Sequence, residues 1–149
     1  MQPYFERVLD NQIEALLRLM AELYEHESIA WQPEAAASTA GELLAHPERG
    51  SAWWIRVDAT TAGYFVLTWA FSLEFGGTFG LLDELYIREH FRGRQVGSAA
   101  LEFIEEQCRA AGARALRLEA GHGNADALRF YERHGFRREL RYLMTKRMR

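Results

Sequence analysis

The period of the apolar pattern changes near residue 50, and that change limits the chain to folds in which helices pack on a sheet. Upstream, Ile13, Leu16, Leu17, Met20, Leu23 and Tyr24 recur at helical spacing and make one apolar stripe of an amphipathic helix. Asp10 or Asn11 is placed to cap it, and it runs to about His26. Pro33 opens a second helical stretch that ends near His46-Pro47, because a residue before proline disfavours helical backbone. Residues 3–8 read as a short strand. Downstream, AWWIRVD (52–58), GYFVLTWAFSLEF (63–75) and TFGLLDELYI (78–87) are rich in β-branched and aromatic residues. With ATTAG and Gly76-Gly77 as turns, they predict a three-strand antiparallel meander.

The next segment returns to helical spacing. FRGRQVGSAALEFIEEQCRAAG (91–112) predicts a glycine-flanked turn and a helix over 97–110, closed by Gly112. ARALRLEA (113–120) then reads as a buried strand, and a strand–helix–strand crossover makes its two strands parallel. Asn124 is placed to cap a helix over 125–134, with Asp126 in its first turn and Gly135 at its end. The alternation in FRRELRYLMTKRMR, with six Arg or Lys in fourteen residues, predicts a final strand over 138–147 with one charged face. The expected class is α+β (mixed α/β), with a central, mostly antiparallel sheet flanked by helices. No repeat or linker-like stretch interrupts residues 1–149, so one domain is expected.

Several function classes are disfavoured at this point. A net charge of −3 speaks against a nucleic-acid partner, which calls for a basic face. The single cysteine, Cys108, rules out an internal disulfide and shares a helical face with Gly97, Leu101, Ile104 and Ala111, as a small core residue would. His26, His46, His90, His122 and His134 show no ligand spacing, so no metal is expected. MQPYFERVLD lacks the basic and apolar regions of a signal peptide. No apolar run approaches the ~20 residues that cross a bilayer, and a soluble, cytoplasmic protein with no membrane partner is expected.

The turn before the third helix carries the most chemistry. A helix N-terminus offers unpaired N–H groups and partial positive charge, which suits phosphate. Arg92 and Arg94 add full charges beside it, while Gly93 and Gly97 let a ligand approach the backbone. Arg92, Gly93, Arg94, Gln95, Val96 and Gly97 resemble motif A of the GNAT superfamily, the acyl-CoA-dependent N-acetyltransferases, whose pattern is Arg/Gln-x-x-Gly-x-Gly/Ala. LDELYI (82–87) resembles the family's fourth strand, and NADALRFYERHGF (124–136) its Asn-x-x-Ala…Tyr-x-x-x-Gly-Phe segment. The resemblance covers 51–147, and RLMAELYEHE (18–27) is similar to the first helix of the diamine acetyltransferase branch. Gln95 departs from it, since the family has glycine there. A right-handed helical conformation at Gln95 would make that departure harmless, and this is the expected case.

The resemblance implies a sheet splayed between its fourth and fifth strands, with the pantetheine arm of acetyl-CoA pairing along Leu85, Tyr86 and Ile87. It places Arg92, Gly93, Arg94, Gln95, Val96, Gly97 and Ser98 on the pyrophosphate, and Asn124, Ala127 and Phe130 beside the pantetheine. A backbone N–H near Leu85 would polarise the thioester carbonyl. Tyr131 would donate a proton to the departing sulfur, as a phenol protonated at neutral pH can. A primary ammonium with a pKa near 10.4 must lose its proton before it attacks, and Asp83 or Glu84 would accept it. Their side chains alternate on a strand, and Glu84 is favoured unless a local bulge reverses the parity. Direct attack in a ternary complex is expected.

Glu25, Glu27, Trp31, Trp69, Glu74, Asp83 and Glu84 are expected to line the acceptor side, and carboxylates with aromatics suit a small cationic amine. A polyamine, a lysine-like amino acid, an aminoglycoside or a protein amine fits that chemistry. The competing reading is a catalytically idle acyl-CoA-binding sensor. The family analogy further implies a homodimer through the sheet edge or the C-terminal strand.

Overall fold

The computed structural model describes residues 2–148. Among them are four helices, α1 (Ile13–His26), α2 (Pro33–Ala45), α3 (Val96–Ala110) and α4 (Ala125–Arg133). Five strands, β1 (Tyr4–Arg7), β2 (Gly50–Val57), β3 (Thr60–Ser72), β4 (Gly77–Ile87) and β5 (Leu116–Leu118), form one sheet in sequential order. β1 to β4 are antiparallel neighbours and β5 runs parallel to β4, so the expected α+β class and mixed sheet are observed. The chain divides into two compact units, residues 1–119 and 120–149.

In the first unit the sheet buries both faces, and the alternation of β3 decides which residue goes where. Tyr64 and Val66 join Leu16, Leu19, Met20 and Leu23 of α1, Ala40 of α2 and Trp54 in one core. Phe65 turns the other way and packs with Trp53, Phe5 and Phe103 of α3. Leu101, Ile104 and Cys108 of α3 are buried, and burial holds the Cys108 thiol above its ordinary pKa, as expected of a core thiol. A Cβ on Gly80 of β4 would lie 2.9 Å from the Cys108 sulfur, so glycine there lets α3 sit close to the sheet.

Three local expectations are corrected. The β2–β3 turn is the pair Asp58-Ala59, both left-handed at φ 51° and 64°, as a tight type I′ hairpin requires; most of ATTAG lies within β3. The capping of the first helix falls to neither Asp10 nor Asn11, which lie with Gln12 in a short 3-10 turn. Gln12 instead accepts from the Leu9 N–H at 2.8 Å and the Trp54 indole at 2.9 Å. The strand expected over 138–147 is not formed. Alternation gives a strand two faces, but pairing with a neighbour is what makes it a strand.

In the second unit Asn124 caps α4 as expected, its Oδ1 accepting from the Ala127 N–H at 3.2 Å. Gly135 ends the helix at φ 91°, a backbone glycine adopts readily. Phe130 and His134 lie with ring centroids 4.6 Å apart, tilted at 50°, and Tyr131 packs edge-on to Phe136 at 5.6 Å.

Candidate active site at the β4 bulge and the start of α3

The register of β4 slips beside Val66 and Leu67. Val66 faces Glu84 and Leu67 faces Leu82, leaving Asp83 as the extra residue of a bulge. A bulge bends its strand and re-aims side chains. Here it puts Glu84 and Tyr86, paired with Val66 and Tyr64, on the α1 side of the sheet. Leu82 and Glu84, two residues apart, therefore lie on opposite faces, so simple alternation does not run through Asp83, and the bulge weighed as an exception is present. Asp83 lies near enough to Tyr24, Tyr64 and Glu84 for its charge to act on all three.

Glu84 is gripped from two elements. Tyr24 of α1 donates to one carboxylate oxygen at 2.6 Å and Tyr64 of β3 to the other at 2.7 Å. Burial pushes the Glu84 carboxyl above its ordinary pKa, the Asp83 charge adds to that, and the two phenol hydrogen bonds oppose it. Burial, reinforced by Glu84, pushes both phenols well upward, so they stay protonated donors at any working pH. Asp83 is exposed along its edge, yet neighbouring protein desolvates its carboxyl enough to raise it as well. Beside this group, the Tyr86 hydroxyl donates to Glu22 of α1 at 2.9 Å, and Arg88 pairs with Glu22 at 3.4 Å.

The same strand opens on its other side. Pairing with β5 covers only Gly80–Leu82. The Arg88 N–H bonds to Ala62 of β3 at 2.8 Å, and a Cβ on Gly63 would lie 1.9 Å from the Tyr86 carbonyl. Backbone groups of Arg88 and Tyr86 thus turn toward β3, so by alternation those of Leu85 and Ile87 turn toward the opened edge. The Ile87 carbonyl accepts from Arg92 Nε at 2.8 Å, and the Arg92 guanidinium lies 5.9 Å from the Tyr86 ring centroid. Arg92 thereby ties β4 to the loop that leads into α3. Arg94 is exposed over Phe91, 5.9 Å from its centroid.

Gln95 overturns the expectation of a helical backbone. It is left-handed, at φ 62° and ψ 16°, and precedes α3 as its N-cap. Its carbonyl accepts the Ala99 N–H at 3.1 Å, and its side chain makes no cap hydrogen bond. The chain needs this reversal to enter the helix from the extended Arg92 and left-handed Gly93, and a Cβ in that conformation costs about 1–2 kcal/mol. Val96 is buried, so only its backbone is available to a ligand, while Gly97 and Ser98 complete the first turn.

Two residues expected on the acceptor side do not join Glu84. Trp69 shares the β3 face of Phe65 rather than that of Tyr64, and Glu74 sits in the β3–β4 turn with an ion pair to Arg117 at 3.8 Å. Trp31 packs edge-on to Tyr24 at 5.3 Å, and Glu25 and Glu27 are exposed at the end of α1. Tyr24 and Tyr64 escaped the sequence reading, because nothing in their spacing announces that both phenols meet one carboxylate. In the second unit Asn124, Ala127 and Tyr131 follow one another at helical spacing along α4, with Phe130 beside Tyr131. No group of three or more metal-ligating side chains occurs among the described residues. None of their helices is long and apolar enough to cross a membrane.

Known proteins resemble this chain in sequence and fold. The chain is similar to an IAA acetyltransferase of Azospirillum brasilense, 35% identical over 78 residues, which are 52% of this chain and 51% of that protein. It is likewise 35% identical over 75 residues to an aminoalkylphosphonate N-acetyltransferase of Salmonella typhimurium, 50% of this chain and 49% of that protein. The match thus spans about half the length of either curated relative. An integron cassette protein from the mobile metagenome of Cole Harbour Salt Marsh superposes with a TM-score of 0.85 at 32% identity, over 97% of this chain and 90% of that one. Residues 14–136 match the acetyltransferase (GNAT) family, and the chain belongs to that family.

Proposed function

We propose that the protein transfers an acetyl group from acetyl-CoA to a primary amine of a small cationic acceptor, by direct attack in a ternary complex. The observation that supports this most is the unpaired reach of β4. Leu85 and Ile87 face an open sheet edge beside the start of α3, while the bulge holds Glu84 on the α1 side. An extended pantetheine arm can pair with such an edge as an added strand would, and the Leu85 N–H can polarise the thioester carbonyl. The first turn of α3, flanked by Arg92, Gly93, Arg94 and Gln95, suits the pyrophosphate. In this reading Asn124, Ala127 and Phe130 serve the pantetheine, and residues 1–149 act as one acetyltransferase domain. The family match running from 14 to 136 supports that last point.

The transfer forms one N–C bond and breaks one C–S bond. The proton lost by the amine passes to the carboxylates at the bulge, with Glu84 the favoured acceptor and Asp83 its neighbour. The departing sulfur takes a proton from Tyr131. Carboxylates on α1 and at the bulge, with Trp31 and Tyr24 nearby, favour a cationic acceptor. The likeness of α1 to the diamine acetyltransferase branch makes a polyamine the first to try. A homodimer in the cytoplasm, formed through the sheet edge or the C-terminal segment, belongs to the same reading, and light scattering tests the dimer.

Calorimetric titration with acetyl-CoA, with free acetate and ATP as controls, tests the cofactor half. Saturable one-to-one binding is the expected result, and heat no larger than that of the controls would refute it.

A further inference from the structure

Glu84, the proton acceptor of the proposed reaction, is held by two tyrosines. A merely structural carboxylate at this depth is poorly motivated, since an apolar side chain would fill the space without being desolvated. Glu84 instead has each oxygen bound by a phenol from a different element, Tyr24 of α1 and Tyr64 of β3. An ionised carboxylate has about four lone-pair positions, so two stay open after both bonds form. Two donors on two oxygens also remove the rotation that would leave those positions undefined. The restraint falls at the bulge, the point where β4 separates from β5.

We propose that Tyr24 and Tyr64 are positioning residues for acetyl transfer, fixing both oxygens of Glu84 so that this carboxylate, in a single orientation, takes the proton of the acceptor amine. The proposal rests on the acetyltransferase reading and adds a division of labour to it. Asp83, on the same bulge, acts on Glu84 through its charge and makes it more basic. The phenols act in the opposite sense, because a hydrogen bond to the charged form favours that form. On the same face, Tyr86 donates to Glu22, Glu22 pairs with Arg88, and the Arg92 guanidinium lies 5.9 Å from the Tyr86 ring centroid.

The opposition of signs makes the proposal testable. Tyr24→Phe removes a donor and is expected to move the acid limb of kcat/KM toward higher pH, by several tenths of a pH unit to about one unit. Asp83→Asn removes the neighbouring charge and is expected to move that limb toward lower pH. Glu84→Gln is expected to lower kcat by about 10²–10⁴-fold, the range for a lost general base, with acetyl-CoA binding retained. Tyr64 is fully buried, so Tyr64→Phe is read only alongside its melting temperature, and Tyr24→Phe carries the test.

A titration of the Glu84 carboxyl by carbon-13 NMR, in wild type, Tyr24→Phe and Asp83→Asn, needs no turnover. Midpoints displaced upward in the first variant and downward in the second bear the proposal out. Midpoints and acid limbs that stay put, or move in the same direction, overturn it and leave the tyrosines a packing role. Absence of any amine acetylation by wild type that binds acetyl-CoA would refute the acetyltransferase reading, and the NMR titration would still decide whether the tyrosines set the state of Glu84.

Discussion

Replacing Gln95 by glycine and, separately, by alanine isolates the backbone conformation at the turn that leads into α3. Both changes remove the same exposed side chain, which makes no cap hydrogen bond, so the two variants differ only by a Cβ. At φ 62° that Cβ costs about 1–2 kcal/mol. Glycine gives back roughly 0.5–1 kcal/mol through its greater freedom in the unfolded chain. Gln95→Gly is therefore expected to be more stable than Gln95→Ala by about 0.5–1 kcal/mol, the difference of those two effects. In a right-handed helical backbone the order would invert, with glycine worse by about 1 kcal/mol. At about 2–4 °C per kcal/mol for a chain of this size, the two cases lie some 3–8 °C apart in the difference of melting temperatures. Thermal unfolding of the two variants side by side reads the sign directly. A glycine variant less stable than the alanine variant would refute the left-handed assignment and the strain inferred from it.

Other consequences follow from single contacts. Gly80→Ala drives a methyl to 2.9 Å from the Cys108 sulfur and is expected to cost about 1–3 kcal/mol; urea unfolding should show part of that loss restored when Cys108→Ala is added. Asp83 has a raised carboxyl, so the folded state keeps a proton that the unfolded state has released, and its contribution to stability falls as pH rises from the ordinary carboxylate range through the raised value. Asp83→Asn should therefore gain stability relative to wild type on going from pH 4 to pH 7 in paired urea titrations, and a constant difference would refute the burial argument. Tyr131→Phe is expected to lower turnover by about 10²-fold or more, the lower range for loss of a general acid, with acetyl-CoA affinity kept; normal turnover would remove Tyr131 from the reaction.

What the sequence could and could not disclose divides along physical lines. The helices and the meander were legible because burial imposes a period, as in Leu16, Met20 and Leu23 on α1 or Phe65 and Leu67 on β3. Asn124 was legible because a cap is a local bond between residues three apart. A bulge in β4 was legible only as an exception, and its place at Asp83 was not legible, since register is settled between strands. The grip on Glu84 joins residues 24, 64 and 84, and no short-range rule links them. At Gln95 the expectation fails because its conformation comes from how the loop enters α3, where the residue type alone favours no left-handed backbone. The segment 138–147 has the alternation of a strand, and alternation cannot supply a partner.

Of the candidate residues, those on β4 and around the start of α3 lie in the first unit. Trp69 and Glu74 do not join Glu84, because β3 alternates and its turn carries Glu74 into an ion pair with Arg117. In the proposed reading the acceptor side is thus narrower than the sequence suggested and centres on α1, Tyr64 and the bulge.

The most direct test of the proposed activity is to incubate the protein with acetyl-CoA and each of a set of primary amines, polyamines first, and to measure free thiol and acetylated amine together. Amine-dependent thiol release, matched mole for mole by acetylated amine in mass spectrometry, is the predicted result. Binding of acetyl-CoA with no acetylated product from any amine would contradict the transferase reading and leave an acyl-CoA-binding module in its place.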